Sequence, residues 1–194
     1  MIDKALNFLL GEINAFLGVH FGGPENAAVL SSLCNPDGSP PLVIDNKIVL
    51  SLVNIEKETS MGSGSFVSRS PSAYSRTNPA LHLNLYILIS ASFSGRPHSY
   101  DSALKSLSHS ITFLQSKPAF DAQNSPSFPA GFEKLTMEMV SLSMAELSTL
   151  WAVLGASYLP SVVYKMRMLT VQDAWIIEPI PNITEAAPTI GNTP

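Results

Sequence analysis

The sequence predicts an α/β domain of the α+β kind: a mixed sheet with about three helices packed on it, then a proline-rich tail. Three observations carry this. Residues 133–171 read as a strand, a capped helix and a second strand joined with little slack. Residues 81–93 alternate apolar and polar groups along one strand, and residues 2–17 and 103–114 each place apolar groups at helical spacing.

Taken in order, Ile2, Leu6, Leu9, Ile13, Phe16 and Leu17 form the first helical stripe, with Asp3, Lys4 and Glu12 off it and Gly22, Gly23 and Pro24 as the stop. Val29–Leu33 is a short strand. Asn35-Pro36-Asp37-Gly38 is a turn, because proline presets one backbone angle and glycine accepts a positive one. Lys47–Glu56 is an almost unbroken apolar run, as suits a strand inside a sheet. Residues 57–79, rich in Ser, Gly and Pro, read as a long mobile loop or hairpin, and loops of that length are usually functional or disordered. Gly62-Ser63-Gly64 within them is no phosphate cradle, since no Gly-Lys-Ser/Thr follows.

Leu81, Leu83, Leu85, Ile87, Ile89, Ala91 and Phe93 define the central strand, with His82, Asn84 and Tyr86 on its other face. Ser99 is placed to cap the next helix, whose expected buried stripe is Ala103, Leu104, Leu107, Ile111 and Leu114, ending at Pro118. Ala119–Gln123 is a short strand, and residues 124–131 loop back. Leu135, Met137 and Met139 then alternate with Thr136 and Glu138 along a strand with one buried face. Ser143 and Glu146 form a capping box, with Leu142 and Leu147 as its hydrophobic staple. Met144, Leu147, Leu150, Trp151 and Leu154 share a stripe, and Gly155 closes the helix. Ser161–Val171 is the last strand: Val162, Tyr164, Met166 and Met168 on one face, Val163, Lys165, Arg167 and Leu169 on the other. Residues 1–172 are thus one domain and 173–194 a tail.

Charged residues make up only 13% of the chain against about 25% in a typical globular protein. Part of the surface is therefore expected to be covered by another subunit. A net charge of −4 argues against nucleic acid as the main partner, because phosphate binding needs clustered Lys and Arg. Cys34 is the only cysteine, so no internal disulfide forms. No signal peptide is read at the start, where Asp3 and Glu12 interrupt the apolar run. The uncharged stretch between Glu146 and Lys165 is broken by Gly155 and Pro160 and makes a poor membrane span. The expectation is a soluble protein, not inserted in a membrane.

No catalytic, cofactor or metal constellation is evident. His20, His82, His98 and His109 lack ligand spacing. His98, Asp101 and His109 could assemble a base and its orienting carboxylate, but they read as exposed polar groups on a serine-rich helix. Glu133 and Glu138 stand five positions apart on one strand, an odd spacing that puts them on opposite faces. The methionines from Met137 to Met168 read as adaptable core or interface filling. Asn182-Ile183-Thr184 is a glycosylation sequon only in a secreted eukaryotic protein.

Two features point to a partner. Lys165 and Arg167 share a strand face with Val163 and Leu169, where they are either solvated or meet acidic groups on a neighbour. Trp175, Ile176 and Ile177 are too apolar for a free tail, yet Glu178-Pro179-Ile180-Pro181 cannot continue an internal strand. Such a segment suits docking on a sheet edge or groove of its own domain or of an adjacent subunit, with residues beyond Thr184 mobile.

The run Asn46–Glu56, the strand Leu83–Leu88, Gln115–Pro118 with Asn124–Pro126, Glu133–Thr136, Leu159–Ser161 and Tyr164–Met168 together resemble one family: the cap, or tail-terminator, proteins of extracellular contractile injection systems, which are phage-tail-like particles. The likeness covers most of residues 1–170; residues 57–79 and the tail depart from it. It implies a phage tail-terminator-like fold and a structural cap with no enzyme activity and no cofactor. It implies a homohexamer ring that closes the baseplate-distal end of the inner tube and sheath and ends polymerisation. The implied partners are the terminal sheath and/or inner-tube subunits, and the implied site of assembly is the bacterial cytoplasm, in a particle that can be released. The competing reading is a small-molecule binding module or enzyme with residues 57–79 as its lid, which requires a pocket collecting His98, Asp101 and Glu residues.

Overall fold

The N-terminal stripe folds as α1 (Ile2–Phe21) in a computed structural model of the protein, which describes residues 1–21, 26–59, 67–70, 73–77, 82–93, 95–170 and 176–180. The expected stop at Gly22–Pro24, the Gly62–Gly64 run, Trp175 and the end of the tail lie outside the described residues. The strands are β1 (Ala28–Leu30), β2 (Ile48–Lys57), β3 (Val67–Ser70), β4 (Ala73–Thr77), β5 (Leu83–Ala91), β6 (Ala119–Phe120), β7 (Phe132–Val140), β8 (Ser161–Thr170) and β9 (Ile176–Ile180). The other helices are α2 (Ser99–Ser116) and α3 (Met144–Leu154), with a 3-10 turn at Leu42–Ile44.

Six strands form one mixed sheet in the order β1-β2-β5-β8-β7-β6, with β1 and β2 parallel and every other pair antiparallel. The predicted α+β class with three helices is thus what the chain adopts, and β5 is central as expected. A separate sheet, β3-β4-β9, joins the hairpin of residues 67–77 to the segment 176–180.

One face of the large sheet carries the main core. Leu9, Ile13 and Leu17 of α1 and Leu107 and Leu114 of α2 pack on Ile48, Leu50, Leu85, Ile87, Ile89, Met166 and Met168. Each such side chain contributes roughly 1.5–3 kcal/mol when fully buried. Aromatic rings close its rim: Phe8 meets Phe120 edge-on at 5.5 Å, and Phe16 stacks on Phe113 at 4.8 Å. Lys117 Nζ lies 2.8 Å from Glu12 Oε2 and ties the two helices. The outward edge of β1 is covered by α1, since Ala28 N–H donates to Asn14 Oδ1 at 2.8 Å and Asn14 Nδ2 donates to Ala28 O at 3.1 Å.

Several local expectations change. Ser99 does not cap α2: its hydroxyl donates to Arg96 O at 2.7 Å, and the cap position falls to His98, at φ +65 with no side-chain bond. The α2 contact line runs through Ala103, Leu107, Ser110, Phe113 and Leu114. The small Ala103 and Ser110 let the helix approach the sheet and leave Leu104 at the margin, exposed. On α3 only Trp151 is buried. Met144, expected on the buried stripe, is 81% exposed: it holds the first helical position, where side chains lean back beyond the helix's own start. Met139, expected on the buried face of β7, is exposed too. The capping box forms as read: Ser143 Oγ accepts from Glu146 N–H at 3.3 Å, Ser143 N–H donates to Glu146 Oε2 at 2.7 Å, and Gly155 closes the helix at φ +65.

Candidate partner interface

The second face of the large sheet is divided. Around Leu88 and Val163 it is apolar, and α3 with the Leu42–Ile44 turn covers it: Trp151, Leu33, Ile44 and Val49 are buried there, with Leu142 and Leu147 packed at the side. Beyond Tyr86 it is polar, because two cross-strand ranks run over β2, β5, β8 and β7. One is Asn54, Tyr86, Lys165 and Glu138; the other is Glu56, Asn84, Arg167 and Thr136.

The Tyr86 hydroxyl donates to Glu56 Oε2 at 2.9 Å. That bond raises the phenol pKa above its usual 10.0, helped by burial and by the charges of Glu56, Glu138 and Glu58. Glu58, one residue past β2, continues the ladder by donating its N–H to His82 O at 3.0 Å. Its carboxylate is 3% exposed and lies 2.9 Å from Arg167 Nε, whose side chain is 41% exposed. The two atoms are not aligned for a hydrogen bond, so this contact is a charge pair.

The two predicted basic residues therefore differ. Arg167 is paired within its own chain, whereas Lys165 makes no ion pair among the described residues. Of the three apolar tail residues, Ile176 and Ile177 lie in β9, paired with β4 of the same chain, and Trp175 lies outside the described residues. The sequence signal for the Glu58 partner is weak, since Glu58 lies within the 57–79 stretch read as loop. The hairpin within 57–79 was allowed for but not its pairing with the tail, because neither partner strand has strong alternation.

The outer surface of the α3 layer was missed. Leu42, Val43, Met144, Val153 and Tyr158, on α3 and the segments beside it, are all exposed, Leu42 at 96%. The signal for it is visible in hindsight, as no charge falls between Glu146 and Lys165. A cavity of about 390 Å³ opens beside it, lined by Leu33, Pro41, Leu42, Ile44, Phe93 and Leu159, with Asp45 as the single charged group. His98, Asp101 and His109 are not part of it. They lie on or beside α2, where Asp101 pairs with Lys105 at 2.7 Å on the surface. Glu133 falls at a register shift in β7, and both it and Glu138 are exposed. Among the described residues no group of His, Cys, Asp and Glu could hold a metal ion, and no helix is long and apolar enough to cross a membrane.

The profile of the Pvc16 N-terminal domain family matches residues 7–185. Two solved structures share the fold. One, described as an extracellular contractile injection system, PVC sheath/tube terminator in extended state, superposes with a TM-score of 0.65 at 14% identity, covering 100% of this chain and 64% of that one. The other, the anti-feeding prophage cap (AFP tube terminating cap), gives 0.58 at 14% identity, covering 97% of this chain and 60% of that one. The present chain thus spans less than two thirds of either. Curated protein sequences give no match.

Proposed function

The chain belongs to the Pvc16 N-terminal domain family, the cap family of contractile injection systems, and we propose on that premise that it is a structural terminator. It closes the baseplate-distal end of the inner tube and sheath as a ring of six copies and stops their polymerisation. It carries out no reaction and needs no cofactor. It is assembled in the bacterial cytoplasm, in a particle that can be released. The family match over residues 7–185 is the observation that carries this reading.

The physical character of the surface supports it. A terminator must match the last ring of the polymer on one side and offer no template on the other, while identical head-to-tail contacts close the ring. The charge-poor α3 layer, with Met144 and Val153 exposed and Glu146 as the one charged residue of the helix, suits a surface covered by a neighbour. Lys165 and the exposed part of Arg167 supply positive charge toward an acidic patch of sheath, tube or adjacent copy, and the segment at Trp175, Ile176 and Ile177 supplies apolar contact.

Imaging of particles carrying a tagged copy tests this. A six-membered ring at the end opposite the baseplate is expected, and deletion of the gene should give particles of uncontrolled length. A terminal ring of another number, or normal lengths without the protein, contradicts the reading.

A further inference from the structure

The three strands β2, β5 and β8 share one end. Lys57, Leu83 and Met168 are register partners there. From these adjacent ends the chain leaves to build the small sheet: β3 and β4 lie between β2 and β5, and β9 follows β8. The Glu58–Arg167 pair bridges two of these roots. Within the small sheet the strands pair with one another, and none of the described elements of the large domain packs on them beyond marginal contact. Three strands with no layer to pack on are at the limit of independent stability.

Among the described strands β9 pairs with β4 alone, and that pairing is irregular. Its register runs over Tyr74–Ile180, Ser75–Pro179, Arg76–Glu178 and Thr77–Ile176, shifts after Arg76, and includes a proline with no N–H to give on either side. Residues 171–175 link Thr170 to Ile176, a tether reaching roughly 20 Å when extended.

We propose that in the assembled ring this strand is exchanged between copies: Ile176–Ile180 of one subunit pairs with β4 of the next, in the same antiparallel register. The proposal deepens the terminator reading and rests on it. The occupant is a second copy because acceptor edge and donor strand are both present in this sequence, already matched in register. Exchange of an identical element replaces each contact with its equal, so little opposes it. An open row of subunits leaves one bare β4 edge and one unpaired β9, whereas a closed ring leaves neither. Exchange therefore favours closure, because a closed ring leaves no β4 edge unpaired to invite a further strand.

Disulfide trapping tests this in assembled particles, with Cys34→Ser removing the native thiol. Copies carrying only Arg76→Cys are co-assembled with copies carrying only Glu178→Cys, and the mild oxidation products are separated by mass. Exchange predicts loss of the monomer band to a cross-linked pair of one copy of each kind, and the double variant should give a ladder reaching the full ring. The pair Tyr74→Cys with Ile180→Cys repeats the test at the neighbouring register position. If particles bear the terminal ring but the double variants cross-link only within single chains, exchange is overturned and the terminator reading stands. If the unsubstituted protein forms no terminal ring, both fall.

Discussion

On one face of the six-stranded sheet, α1 and α2 cover the strands from Ile48 to Met168 without a buried charge in the core. On the other, α3 and the Leu42–Ile44 turn cover only the half around Leu88 and Val163, and the remainder carries Glu56, Asn84, Lys165 and Arg167. The outer surfaces differ in the opposite sense. The α1/α2 layer turns Asp3, Lys4, Asp101 and Lys105 to solvent beside Val19 and Tyr100, while α3 turns out Met144 and Val153 with Glu146 as its one charged residue. The layer with the drier inside has the wetter outside. The first layer is thus complete within one chain, and the second has the composition of a surface awaiting cover.

The comparison is broken most severely by removing the one buried anchor of α3. Trp151 is 5% exposed and packs among Val49, Leu88 and Val163. Trp151→Ala should lower stability by about 3–5 kcal/mol, and Ile89→Ala on the opposite face by about 2–5 kcal/mol, both read from urea midpoints. An unchanged midpoint for Trp151→Ala means that α3 is not integral to the fold.

These large effects fall on residues that are legible from periodicity. The strands β5 and β8 declare their two faces by alternation, and α1 by its stripe, because burial of a whole face leaves a regular pattern. The α3 layer was harder. Its stripe named Met144 and Trp151 as equivalents, yet one is exposed and the other buried, since periodicity gives the side of a helix and not which of its turns is covered. The partner of Arg167 was not legible at all. It depends on β2 extending to Lys57 so that Glu58 comes within reach of Arg167 across β5, a contact between residues 109 positions apart in the chain. The pairing of β9 with β4 escaped for a similar reason, as Pro179 reads as a strand breaker and is tolerated only because β9 is an edge.

An intermediate effect is expected at that charge pair. Arg167→Met leaves the Glu58 carboxylate, 3% exposed, without its guanidinium. Partial solvent access to Arg167 limits the loss to about 1–3 kcal/mol. Restoration of most of that stability by adding Glu58→Gln would show the loss to be charge burial; no restoration means that lost packing explains it.

A smaller effect sits at the start of α3. Ser143→Ala removes the cap and should cost about 1 kcal/mol, without touching the α1/α2 face. The Glu146 carboxylate is held below its ordinary 4.5 by the Ser143 hydroxyl and then by the Ser143 N–H. A depressed carboxylate contributes stability above its unfolded value and loses it as pH falls through the lower folded one. The acid limb of unfolding should therefore be shallower in Ser143→Ala than in the parent. Identical limbs mean that the box contributes nothing in solution.

The smallest change in stability should accompany the largest change in assembly. Met144 and Val153 are 81% and 80% exposed, so Met144→Lys with Val153→Lys should move the unfolding free energy by no more than about 0.5 kcal/mol. Lys4→Glu on the opposite layer should be equally silent in the isolated protein. If the α3 surface is covered in the particle, the double lysine variant must desolvate two new charges there and should fail to hold the end, giving a spread of particle lengths, whereas Lys4→Glu should leave lengths as they were. Equal lengths in both variants would place the covered surface elsewhere and leave the polar half of the sheet, with Lys165, as the remaining contact. Disruption by Lys4→Glu alone would reverse the comparison, because the layer that is complete in one chain would then be the one that the particle uses.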